Sequence, residues 1–140
     1  MGKRGVYTIN IGGEDRTGRF TLGFWEKLEA DYGEPVGYLM SFLTEIKAKE
    51  IISLFYCSLS YGAEVERKTF PHSRAEVAEW VEDLQDEEGG EEAIQGVVQT
   101  FLDSRQVGKI MEAAEKITEE INKAKSEAVS TEDIKKKQGS

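Results

Sequence analysis

A chain of 140 residues suits one domain with a modest core, and 39% hydrophobic against 32% charged residues leaves that core small beside its solvated surface. A formal charge of −9 leaves no basic face to displace counterions from nucleic acid, and it disfavours an anionic membrane surface for the same reason. The single cysteine, Cys57, excludes an intrachain disulfide and points to a reducing compartment, and with no apolar leader at the N-terminus a cytoplasmic protein is expected.

The chain opens with strand alternation over residues 6–11: Tyr7, Ile9 and Ile11 form an apolar face, with Val6, Thr8 and Asn10 opposite. Gly12-Gly13-Glu14-Asp15 has turn composition, and residues 16–21 are predicted to return as a second strand. A lone hairpin is marginal in water, so this one must lie on helices or pair with another chain. Thr21 is placed to cap a first helix with a stripe of Leu22, Trp25 and Leu28 and with Phe24 and Tyr32 at its margins. Gly33 is predicted to end that helix and Pro35 to stop its extension. Val36, Leu39, Met40 and Leu43 share a face of the next predicted helix.

Residues 51–59 are the most apolar run and too short to span a bilayer. Ile51, Leu54, Phe55, Ser58 and Leu59 recur at helical spacing, Ile52 and Tyr56 widen the face, and Gly62 reads as the stop. This central helix is the predicted hub for Trp25, Leu39, Phe42, Trp80 and Phe101. Residues 63–68 are charged and predicted to loop. Ser73 and Glu76 fit a capping box, in which each side chain satisfies a free backbone N–H of the other, before a helix with Val77, Trp80, Val81 and Leu84 inward. Residues 86–92, acidic with two glycines, are predicted to be a loop. Ala93, Ile94, Val97, Val98, Phe101 and Leu102 mark another amphipathic helix. Past 103–106 the register shifts, and Val107, Ile110, Met111, Ala114, Ile117, Ile121, Ala124 and Ala128 leave only a thin stripe, which suits a partner helix better than a core.

The expected fold is α+β, mostly α: an N-terminal β-hairpin packed on a small helical bundle, with a long C-terminal helical segment. Residues 1–103 form the expected compact domain, and 104–140 an amphipathic extension with a frayed end.

No catalytic, cofactor-binding or metal-binding residues are predicted. His72, the only histidine, stands beside a proline before a helix cap, and Cys57 lies inside the most apolar run. Two such residues are too few for a zinc site and have no supporting motif for nucleophilic catalysis. The acidic run lacks the alternating ligands of an EF-hand, and Gly12-Gly13 lacks the Gly-Lys-Ser/Thr of a phosphate loop. Trp25 and Trp80 read as core residues, with interface anchors as the alternative. The candidate partner-binding residues are Tyr7, Ile9 and Ile11 on the hairpin, and Val107, Ile110, Met111, Ile117 and Ile121 on the C-terminal stripe.

The order of segments resembles the tail assembly chaperones of long-tailed bacteriophages and gene-transfer particles. The resemblance covers residues 5–103: a hairpin, a short helix ending in Gly33-Glu34-Pro35, the central helix, the Ser73-capped helix, and a helix ending in Phe101-Leu102. It implies a non-enzymatic protein that keeps the tape measure protein soluble and helps recruit tail tube protein during tail assembly. It also implies action in the host cytoplasm and absence from the mature virion. Strand pairing at the hairpin's open edge makes a homo-oligomer the expected state. A structural tail component of the virion, such as a completion or connector protein, and a small helix-binding adaptor are the alternatives.

Overall fold

The computed structural model describes residues 4–138, and their side chains through residue 126. The chain divides into two units, Met1–Gly108 and Lys109–Ser140. The first extends past residue 103 because Ser104 and Val107 are themselves buried. The architecture is the expected one: an N-terminal antiparallel hairpin followed by six helices among the described residues. No helix among them is long and apolar enough to cross a membrane.

Strands β1 (Val6–Ile11) and β2 (Glu14–Arg19) pair with Ile11 opposite Glu14 and Val6 opposite Arg19. The turn is therefore only Gly12-Gly13, with φ of +64° and +87°. Two glycines accept the left-handed conformations that match hairpin twist, so β2 begins two residues before the predicted start at Arg16. As expected, Tyr7, Ile9 and Ile11 share the inner face.

Helix α1 (Leu22–Asp31) follows Thr21, whose side chain makes no capping bond. Its inner face is Phe24, Trp25 and Leu28, whereas Leu22 is 69% exposed: Phe24 takes the central place expected of Leu22. Helix α1 ends before Gly33 and Pro35, as expected, and Pro35 also starts the next helix, α2 (Pro35–Thr44), because its missing N–H costs nothing in a first turn. The face α2 buries is Tyr38, Leu39 and Phe42; Val36, Met40 and Leu43, expected to share a face with Leu39, point outward without it.

Helix α3 (Ala48–Val65) runs under the hairpin, burying Leu54, Phe55, Cys57, Ser58 and Leu59. Gly62 does not end it. A methyl group at Gly62 would overlap the carbonyl of Thr17, so the glycine lets the helix touch the β2 backbone. The helix continues to Val65, shortening the predicted loop at 63–68.

Ser73 caps α4 (Arg74–Asp86) as predicted, accepting from Glu76 N–H at 3.1 Å while the Glu76 carboxylate accepts from Ser73 N–H at 3.5 Å. Only residues 87–89 separate α4 from α5 (Gly90–Leu102). Glu91 and Glu92, expected in a loop, sit in the first turn of α5, where carboxylates oppose the positive end of the helix dipole. Helix α6 (Arg105–Gln138) keeps the backbone helical over 134–138, where fraying was expected; Gly139 and Ser140 lie outside the described residues.

Trp25, Leu39, Phe42 and Phe101 are all buried in the core, as predicted. Trp80 is the exception. It is half-buried beside the hairpin turn, with the Arg16 guanidinium 4.5 Å from its ring centroid and His72 edge-on at 4.7 Å.

Glycines in two helices give opposite expectations. Gly62→Ala forces a methyl into the β2 backbone and should lower stability by about 1–3 kcal/mol. Gly96→Ala, in α5 with open space around it, should raise stability by up to about 1 kcal/mol through helix propensity. A urea midpoint for Gly62→Ala at or above that of the wild type would contradict the α3–β2 contact.

Candidate functional site

Four of the exposed large apolar side chains of the first unit lie on α2 and the link that follows it. Val36, Met40 and Leu43 recur at i, i+4 and i+7 and are 45%, 51% and 45% exposed. Ile46, 48% exposed in that link, lines a cleft of about 420 Å³ whose other apolar walls are Ala48, Ile51 and Ile52 of α3 and Ala78 and Val81 of α4. Lys47 and Glu82 stand among the lining residues and give the cleft one charge of each sign. The arrangement suits apolar side chains of another protein, with polar groups to orient them.

The face is held by polar bonds on the inner side of the same helices. The Tyr38 hydroxyl donates to the Glu50 carbonyl at 2.8 Å, and the Tyr32 hydroxyl donates to Glu50 Oε1 at 2.9 Å. Asp31 Oδ2 accepts from Ser53 Oγ at 2.8 Å and from Arg74 Nε at 3.3 Å. Arg74 Nη2 donates in turn to Ser53 Oγ at 2.9 Å and to the Lys49 carbonyl at 3.1 Å. These bonds tie α1, α2 and α4 to the first turns of α3. Burial is the main cause pushing the Tyr38 hydroxyl well above the usual phenol range, with nearby Cys57 and Glu50 adding to it. Burial likewise pushes the Cys57 thiol up to about 12, and the Asp31 carboxylate raises it further. The network therefore joins three helices to α3 and fixes their positions.

His72 Nδ1 lies 2.9 Å from Glu76 Oε2, and the imidazole packs between Phe70 and Trp80. That bond, followed by the Ser73 N–H, holds the Glu76 carboxyl below its usual range. His72 therefore braces the N-terminus of α4.

The predicted binding residues separate into two groups. Tyr7, Ile9 and Ile11 are 7%, 7% and 3% exposed and belong to the core, with the Tyr7 hydroxyl 2.7 Å from Ser58 Oγ on α3. They are not available to a partner: the alternating apolar face is the one the hairpin lays on its own helices. Val107, 4% exposed, is also buried, because the compact unit includes the first turn of α6. Along α6, Ile110 is half-buried, while Met111, Ile117 and Ile121 are 40%, 57% and 48% exposed. The hairpin's two edges also differ. The Thr17 carbonyl on β2 is covered by α3 at Gly62, whereas among the described residues the outward N–H groups of β1 make no backbone bond.

The periodicity reading grouped Val36, Met40 and Leu43 with Leu39, which is buried, and did not mark them as a surface for a partner. The signal was the size of the opposite face: Tyr38 and Phe42 offer more apolar area than Val36 and Met40. No family model matches the chain, and no curated protein or solved structure matches it.

Burial of Cys57 gives a direct check. In the folded chain near pH 8 the thiol should react with a disulfide reagent about a thousandfold more slowly than in urea, because reaction requires opening of α3. Rapid stoichiometric labelling of the folded protein would show that the central helix is accessible.

Proposed function

We propose that this chain is a non-enzymatic assembly chaperone of the phage tail kind, which binds the tape measure protein, keeps it soluble and helps recruit tail tube protein. The observation that carries the reading is the outward α2 face of Val36, Met40 and Leu43, continued by Ile46 into the neighbouring cleft. A long apolar-rich helical client presents side chains at i, i+3, i+4 and i+7, and a helix face beside an apolar cleft is a surface that receives them. The charge of −9 supports the same reading: a strongly acidic body repels its own kind and keeps a loaded complex in solution. The chain acts in the host cytoplasm during assembly and leaves before the particle matures.

The same face favours a second reading, an adaptor that takes one specific helix. The two differ in client: a chaperone protects a long polypeptide from aggregation, whereas an adaptor binds a single segment and leaves solubility unchanged.

Co-expression with the tape measure protein encoded nearby tests the proposal. The client should move from the insoluble to the soluble fraction in the presence of this chain. The double substitution Met40→Lys and Leu43→Lys should abolish that transfer while shifting Tm by no more than about 4 °C, since both residues are exposed. A tape measure protein that is equally insoluble with and without the chain would sink the chaperone reading.

A further inference from the structure

Apolar residues on α6 recur at a strict alternation of three and four: Val107, Ile110, Ala114, Ile117, Ile121, Ala124, Ala128. This period of 3.5 is that of a supercoiled seam, tighter than the 3.6 of a helix lying on a globular core. Val107 is seated in the first unit, so the free seam begins at Ile110. Ile117 and Ile121 at its centre are 57% and 48% exposed.

Charge identifies the occupant. Residues 109–140 hold seven Lys and seven Asp or Glu, so the whole −9 resides in Met1–Gly108. The acidic bodies repel one another, while the helix, neutral in sum, adds no repulsion of its own. With Val107 at position a, Glu120 falls at g and Lys125 at e. In a parallel, in-register pair each g residue faces the e residue five positions on in the other helix, so Glu120 faces Lys125 of the partner subunit, and symmetry repeats the contact. An antiparallel pairing would set g against g and e against e, losing this match. The seam ends near Ala128: Thr131 and Lys135 interrupt it, and the next g–e pair, Glu127 with Glu132, is like-charged.

We propose that residues 110–128 of α6 join copies of this chain through a parallel, in-register coiled coil. Ile110 and Ile117 at d with Ile121 at a favour three strands, and the alanines at 114 and 124 allow the closer approach of two. The seam is short and half alanine, so association lies in the micromolar range. This surface is separate from α2, and the inference does not rest on the chaperone reading.

The test uses the full chain, with light scattering after size exclusion over a micromolar concentration series and circular dichroism to follow helix content. The wild type should reach two or three chains per particle. Ile117→Asp should raise the concentration at half-association by at least about tenfold. Glu120→Lys and Lys125→Glu should each weaken association several-fold, and the double swap should restore it. Met40→Lys should leave it unchanged. A strict monomer at every concentration overturns the proposal, as does an oligomer indifferent to Ile117→Asp. Failure of the double swap to restore association overturns the parallel register. Loss of association on Thr8→Pro, at the open edge of β1, but not on Ile117→Asp would place the contact on the hairpin and overturn the proposal too.

Discussion

Phe101 lies in the last turn of α5, and five other rings surround it: Phe42 at 5.1 Å, Phe20 at 5.3 Å, Trp25 at 5.8 Å, Phe24 at 5.9 Å and Tyr38 at 6.0 Å between centroids. Four of the five meet it edge to face, the arrangement that ring quadrupoles favour. These rings come from the exit of β2, from α1 and from α2, so one side chain near the end of the compact unit closes its first third. The orientation of α2 follows from that closure. Tyr38 and Phe42 have to face Phe101, and on a helix this turns Val36, Met40 and Leu43 to the opposite side. The exposed apolar face is a consequence of the best-packed part of the core. It is fixed as firmly as the core is, which a binding surface needs if it is to be preorganised.

A second constraint acts at the backbone. Gly62 brings α3 against the Thr17 carbonyl, and Gly90 brings the start of α5 against the Leu84 carbonyl, since a methyl group at either glycine would overlap its carbonyl neighbour. Close backbone approach leaves little room for the elements to slide. The polar network completes the restraint from the other end of α3. Asp31 closes α1, where a carboxylate meets the negative end of the helix dipole. It is stabilised there by Arg74 and Ser53, which are on two other helices.

These contacts show which parts of the molecule were legible in the sequence. The alternating face of the hairpin, the Ser73–Glu76 box and the buried run in α3 each follow from local chemistry, and the structure has them where that chemistry placed them. Gly62 was misread because glycine has two uses, ending a helix and permitting close approach, and only the neighbour across the fold decides between them. Trp80 was drawn to the core by its spacing, but Arg16 and His72 cover its ring at the surface. Helix α2 is apolar on two faces, so periodicity has no preference, and the choice is made by aromatic area in a cluster assembled from distant segments. The outward face of α2 was therefore hidden for the same reason that the core was only partly visible. Asp31 and Glu50 carried no local signal at all, because their partners are supplied by tertiary packing.

The two apolar surfaces differ in a way that fits different partners. The α2 face mixes β-branched, γ-branched and thioether side chains beside an open cleft, and the flexible Met40 adapts to whatever lies on it. On the chaperone proposal, such a surface would suit clients of varied sequence. The α6 seam is regular, built of isoleucine and alanine at fixed intervals, with charges that match only in one register. Regular spacing rewards a partner with identical spacing, and the partner certain to have it is another copy of the same helix. The charge distribution separates the roles further. Repulsion between acidic bodies keeps their α2 faces from closing on each other, while the neutral helix is free to associate. If both proposals hold, joining copies through α6 multiplies the faces available to one long client, and each further contact forms at the effective concentration set by the tether rather than that of the solution.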